Sequence, residues 1–150
     1  MGARVVGLHL RAERSAAPSP VAEVTGRPGG GLEGDFHVAK KTRSVLVIDR
    51  ATLDAMRLRP GDLREQVTIE GVPDVTHLAE GTLLRVGGIE LRVNGECEPC
   101  THIGELLGVE DPEAFRASLV GRRGAACTVV AATGVARVGD PVEVVAPAAA

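Results

Sequence analysis

The chain has 150 residues, 44% of them hydrophobic and 25% charged, with a formal net charge of −3. That is one domain of ordinary size, with enough apolar residues for one buried core. Net negative charge removes the electrostatic basis for nucleic-acid binding, and with no Trp or Tyr and only Phe36 and Phe115 there is no stacking platform for bases.

The first apolar run, Val5-Val6-Gly7-Leu8-His9-Leu10, is followed by Arg11, Glu13 and Arg14. It is too short for a signal peptide and reads instead as the end of a strand over residues 4–10. Met1-Gly2 opens a myristoylation pattern that Val6 breaks, and no stretch reaches the length of a membrane span. A cytoplasmic protein with no membrane association is expected. Residues 11–20, rich in Ala, Ser and Pro, read as a surface loop. Further strands are expected at residues 21–25, 44–49, 66–70, 83–86, 90–93, 127–131 and 141–145, all short, mostly Val-rich, and bounded by Gly, Pro or Asp. Gly87-Gly88 reads as the turn of a hairpin. Two short helices are expected, one over residues 51–56 after Asp49 and one over 111–119, where Asp111-Pro112-Glu113 supplies an N-cap, an N1 proline and an acidic first turn. The pattern predicts a mainly β fold with a few short helices, a closed or nearly closed barrel, because closure removes exposed strand edges. A single domain over residues 1–150 is expected, with its core at about 21–145 and a flexible tail at 146–150.

Three cysteines in a reducing compartment point to reactivity or metal binding rather than to a disulfide framework. Two of them lie in Cys97-Glu98-Pro99-Cys100-Thr101-His102. Three chemistries fit that segment. A redox dithiol has this spacing but normally opens a helix in a βαβ setting, which the pattern does not show. A zinc site would need Cys127 to join Cys97, Cys100 and His102. A single thiolate would ligate a soft metal or carry sulfur. In an extended segment His102 shares a face with Cys100, where it would tune the thiol or donate a proton. The alternative is that these are inert residues of a turn. A second group, Gly31-Leu32-Glu33-Gly34-Asp35-Phe36-His37 followed by Lys40, Lys41 and Arg43, combines a tight turn with basic residues suited to an anion. Gly121-Arg122-Arg123-Gly124 is a similar basic turn, and each group also fits an ordinary solvated loop.

In order along the chain these segments resemble the signatures of the MOSC domain family, the module at the C-terminus of molybdenum-cofactor sulfurases. Gly31-Leu32-Glu33-Gly34-Asp35 with His37 resembles its opening signature. Gly61-Asp62-Leu63-Arg64-Glu65-Gln66-Val67 looks like its central Gly-x-x-Arg-Glu-Asn segment, with Gln66 where Asn is usual. Glu98-Pro99-Cys100 resembles its Pro-Cys motif, and Gly121-Arg122-Arg123-Gly124 with Gly134 and Val138-Gly139-Asp140 its closing signature. Phe36 stands where a basic residue is common, and Cys97 lies outside the motif.

The resemblance implies an all-β barrel and a role in molybdenum-cofactor handling or sulfur transfer. It implies that Cys100 ligates molybdenum, with Arg43, Arg64, Arg122 and Arg123 toward the phosphate of molybdopterin and Asp35 and His37 shaping the pocket. The implied reaction removes oxygen from small N-hydroxylated substrates, with Cys100 and His102 as the catalytic pair. An external electron-transfer partner would supply electrons, since no flavin, haem or iron–sulfur motif is present. The second reading is a sulfur carrier that takes a persulfide on Cys100 from a cysteine desulfurase, with Cys97 placed to resolve it. No pyridoxal phosphate is expected on this chain, and the chain is not expected to be a complete sulfurase. The third reading is a non-catalytic binding module.

Overall fold

The computed structural model describes residues 2–146; residues 147–150, most of the expected tail, lie outside the described residues. Among these, seven strands close into a barrel: β1 (Ala3–Leu10), β4 (Val45–Asp49), β5 (Val67–Glu70), β6 (Leu83–Val86), β7 (Ile89–Glu96), β8 (Ala125–Ala132) and β10 (Pro141–Val145). Around the ring the order is β1-β5-β4-β8-β7-β6-β10, and β10 returns to β1 through Ala3 opposite Val142. β4 and β5 run parallel, and the other barrel pairs are antiparallel. The parallel pair requires a crossover, and α1 (Arg50–Ala55) provides it; Asp49 caps α1 by accepting from the Thr52 N–H at 3.0 Å. Two short strands, β3 (Glu23–Val24) and β9 (Ala136–Arg137), pair outside the ring, and β2 (Ser19–Pro20) extends β1 at its far end.

Alternating apolar residues of the strands fill the barrel: Val5, Leu8, Val45, Val47, Ile69, Leu84, Leu91, Val93, Cys127 and Val129 are all buried. β1 is one of these walls although it lies before residue 21. Gly87-Gly88 turns between β6 and β7, as the dipeptide implies; Gly87 has φ +54°, and a side chain there would strike Asp140. A second apolar cluster, outside the barrel, gathers Ile48, Leu53 and Leu63 with Ile103 and Leu119. Ile103 belongs to α2 (Thr101–Leu107), and Leu119 follows α3 (Pro112–Ser118), so this cluster seats both helices beside the barrel mouth.

The expectation that Cys100 and His102 share an extended segment is corrected here. Cys100 is extended (φ −139°) but serves as the N-cap of α2, and His102 lies inside that helix. No side chain caps α2 at its start, so its stability comes from Ile103 packing into the second cluster and not from a local signal. The Cys97–Cys100 spacing therefore does lead into a helix, although without a βαβ unit.

Candidate functional site

One end of the barrel opens into a cavity of about 350 Å³. β4 lines it with Val45 and Leu46, β5 is preceded by Gln66, and α2 contributes His102 and Ile103, with Cys97 and Cys100 in the link from β7. Its charge is one-sided. Arg11, Arg14, Lys40, Arg43, Arg64 and Arg123 line it together with His37, and among the described residues no carboxylate does.

Asp35 organises this end from the layer behind. It is 4% exposed. It accepts from the backbone N–H of Arg11 at 3.0 Å, from that of His37 at 3.0 Å and from Gln66 Nε2 at 3.0 Å. Gln66 in turn accepts the Leu46 N–H at 2.7 Å, so one amide side chain joins β4 to the glycine-rich loop. A carboxylate with three donors is well satisfied when buried. Its place explains the Gly-Asp turn: Gly34 has φ +86°, which brings Asp35 back under its own loop.

The arginines are not equivalently held. Arg64 sits in the left-handed region at φ +63° and spends its guanidinium on the chain, donating to the Arg14 carbonyl at 2.9 Å and the Ala16 carbonyl at 2.7 Å. Arg11 also donates to the Arg14 carbonyl, at 2.9 Å, yet its Nε is buried without a partner among the described residues. Arg123 is 6% exposed, and its Nε and Nη1 are likewise unpartnered. Burial and the nearby positive charges weaken the hold of Arg64, Arg11 and His37 on their protons. Arg64 is brought down to about 10 by burial, then by Arg11 and Arg123, against an opposing pull from Cys100. Arg11 is lowered by burial, with Arg123 adding to the effect and Asp35 opposing it. His37 is lowered by burial and by Lys40, Arg11 and Arg14. A buried cationic group with unmatched donors is a receptor for an anion.

Of the sequence-derived site residues, the fold brings Cys100, His102, His37, Arg43, Arg64 and Arg123 to this cavity, with Asp35 behind it. Arg122 is exposed and does not line it. Arg11 and Arg14 line it without having been singled out: they lie in the Ala/Ser/Pro-rich stretch read as surface loop, and Arg11 is in fact 8% exposed. The only signal for Arg11 was its place directly after the apolar β1 run. Cys127 is far from a ligand set; it is wholly buried in the barrel core and its thiol is pushed up to about 12 by burial. Among the described residues no three His, Cys, Asp or Glu side chains gather as metal ligands, which removes the zinc site built on Cys127. No described helix is long and apolar enough to cross a membrane.

Residues 29–143 match the family described as MOSC domain. Over 95 residues the chain is 34% identical to YuaD of Bacillus subtilis (strain 168), a protein whose name refers to metal-sulfur cluster biosynthesis. That alignment takes in 59% of this chain and 49% of YuaD, so the chain spans about half the length of that curated relative. A crystal structure of B. subtilis YuaD superposes with a TM-score of 0.82 at 24% identity, covering 96% of either chain. A crystal structure of YiiM from Geobacillus stearothermophilus superposes with a TM-score of 0.73 at 17% identity, covering 95% of this chain and 75% of that one. At such identities the two structures speak for the fold alone.

Proposed function

Because this chain belongs to the MOSC domain family, we propose that its cationic cavity holds the molybdenum cofactor, with Cys100 as a thiolate ligand to the metal. The observation that carries this reading is the pair of buried guanidinium groups, Arg11 and Arg123, left with unpartnered nitrogens beside a cavity that Cys100 also lines. The residues present fit the group. A phosphate monoester in the cavity would pair with the guanidinium groups of Arg11 and Arg123, with Arg14, Lys40 and Arg43 at hand for the remaining charge. A soft thiolate suits molybdenum, and Pro99 stiffens the link that presents it. When bound, such a group supplies two-electron oxygen-atom chemistry, suited to reduction of N-hydroxylated substrates with an external electron donor. His102 lines the same cavity as Cys100, with its Nδ1 3.8 Å from a Glu105 carboxylate oxygen, and would be the proton donor there. Arg64, by contrast, works through the chain: its bonds to Arg14 and Ala16 hold the loop that carries Arg11 and Arg14 against the cavity.

The test is the pterin. Protein made in a cofactor-competent host, denatured and oxidised, should release a fluorescent phosphorylated pterin, and Arg123→Met should lose most of it while remaining folded. Equal pterin in the two proteins would remove Arg123 from the cradle, and none in either would end the cofactor reading.

A second reading has its own support. Cys97 lines the same cavity as Cys100, and the relative YuaD carries a name that refers to metal-sulfur cluster biosynthesis. In that reading Cys100 accepts sulfur as a persulfide from a cysteine desulfurase. Mass spectrometry after incubation with an active desulfurase tests it: a single added sulfur on Cys100 supports a carrier, and an unmodified chain counts against one.

A further inference from the structure

Two cysteines line the cationic cavity, and the cofactor reading uses one of them. Cys97, outside the family motif, has no part in it. Cys100 is exposed and Cys97 is partly so, and both are free thiols. The one hydrogen bond either sulfur makes among the described residues is long, from Cys97 Sγ to the Glu98 carbonyl at 3.8 Å. Cys127, wholly buried in the barrel, is not available to either.

The fold fixes both ends of this segment and leaves its middle free. At one end Glu96 pairs with Ala125, and the Cys97 N–H donates to the Gly124 carbonyl at 2.9 Å. At the other, Cys100 begins α2, which Ile103 anchors in the second apolar cluster. Between them, Glu98 and Pro99 join no backbone hydrogen bond with the described residues. The proline ring fixes its own φ, yet ψ at Pro99 and φ at Glu98 can turn without breaking a backbone bond. Two intervening residues let the Cα atoms of such a pair come within the roughly 4–7 Å that a disulfide needs.

We propose that Cys97 and Cys100 form a thiol switch, in which a hydroperoxide converts them into one internal disulfide and so removes Cys100 as a metal ligand. The Cys100 thiolate attacks a peroxide oxygen, the O–O bond breaks, and Cys100 becomes a sulfenic acid while an alcohol or water departs. The Cys97 sulfur then attacks the Cys100 sulfur; the S–S bond forms, the S–O bond breaks, and hydroxide leaves as water with the Cys97 proton. The two thiols lose two electrons and two protons, and the hydroperoxide is reduced to an alcohol and water. A dithiol reductant reverses the change, whereas a sulfenic acid with no second thiol nearby goes on to the irreversible sulfinic acid. Formation of the disulfide depends on these two residues alone. Its effect on metal binding rests on the reading of Cys100 as the molybdenum ligand.

Mass spectrometry of the full chain tests it, with hydrogen peroxide as oxidant and remaining thiols blocked by N-ethylmaleimide before digestion. Cys97 and Cys100 share the tryptic peptide 93–116, and Cys127 lies on another. After peroxide, peptide 93–116 should be two hydrogens lighter, carry no blocking group, and recover both thiols with dithiothreitol. Cys97→Ser should instead gain oxygen on Cys100 and recover at least tenfold less of that thiol. Survival of both thiols at a dose that oxidises free N-acetylcysteine would overturn the switch, as would equal recovery of Cys100 in the two proteins; neither result touches the cofactor reading. Molybdenum-loaded protein separates the two claims. With Cys100 on the metal, the disulfide should form at least tenfold more slowly than in chain made without cofactor. Equal rates would leave the disulfide standing and overturn its action on metal binding.

Discussion

Cys97, Cys100 and Cys127 have the same side chain in three environments, and burial decides what each can do. Cys127 lies wholly inside the barrel with its thiol pushed up to about 12, whereas Cys97 and Cys100 line an open cavity and Cys100 is exposed. Iodoacetamide at neutral pH should modify Cys100 and Cys97 and leave Cys127 untouched until the chain unfolds, as read by mass spectrometry of digested protein. Labelling of Cys127 at the rate of the other two in folded protein would contradict this. Glu65 makes a second test at this scale. It is wholly buried; Oε2 accepts the Gly61 N–H at 2.8 Å and the Thr68 hydroxyl at 2.6 Å, while Oε1 has no partner among the described residues. Burial raises its pKa above the ordinary 4.5, against those hydrogen bonds and Arg123. The folded state thus holds the proton more tightly than the unfolded chain, and the contribution of Glu65 to stability declines as pH rises from about 4.5 toward the folded-state value. Glu65→Gln should therefore gain stability relative to the natural chain as pH rises through that window, measured by urea unfolding from acid to neutral pH. A difference between the two proteins that does not change with pH would contradict the assignment.

Among the elements, those that present the site are held by backbone geometry as much as by packing. β8 begins directly after Arg123-Gly124, and Gly124 has φ +91° with its N–H donating to the Thr76 hydroxyl at 2.9 Å. A side chain there would lie 2.5 Å from the Val47 carbonyl oxygen. Gly124→Ala should cost about 1–3 kcal/mol in thermal unfolding and should weaken phosphate binding, because the displaced turn carries Arg123 with it. Unchanged melting and unchanged phosphate affinity would show that the turn tolerates both. The same elements show what could be read from residue order. The strands were legible because Val-rich runs between turn residues have few other uses, and α3 was legible because Asp111 caps it by accepting the Ala114 N–H at 3.0 Å, with Pro112 at its start. α2 was not. Thr101-His102-Ile103-Gly104 mixes β-branched residues with a glycine and lacks a side-chain cap, and the helix exists because Ile103 finds a cluster built from residues as distant as Ile48.

At the scale of the whole molecule, closure of the barrel converts a chain of net charge −3 into one with a concentrated positive site. Composition conceals this, because the charges that gather, Arg11, Arg43, Arg64 and Arg123, come from four separated segments. The motif residues Asp35, Arg64, Cys100 and Arg123 were legible as separate short patterns; that Arg11 joins them depends on Asp35 accepting its N–H across 24 residues of sequence. Likewise Arg122 and Arg123 are neighbours in sequence, but the turn into β8 buries one and exposes the other, a distinction that no pattern of residue types contains. The central claim is that this site holds molybdenum through Cys100. Elemental analysis of protein made in a cofactor-competent host tests it most directly, with Cys100→Ser beside the natural sequence. The account predicts about one molybdenum per chain in the natural protein, matching one thiolate ligand in one cavity, and little in Cys100→Ser. Molybdenum retained in full by Cys100→Ser, or absent from both proteins, would contradict it.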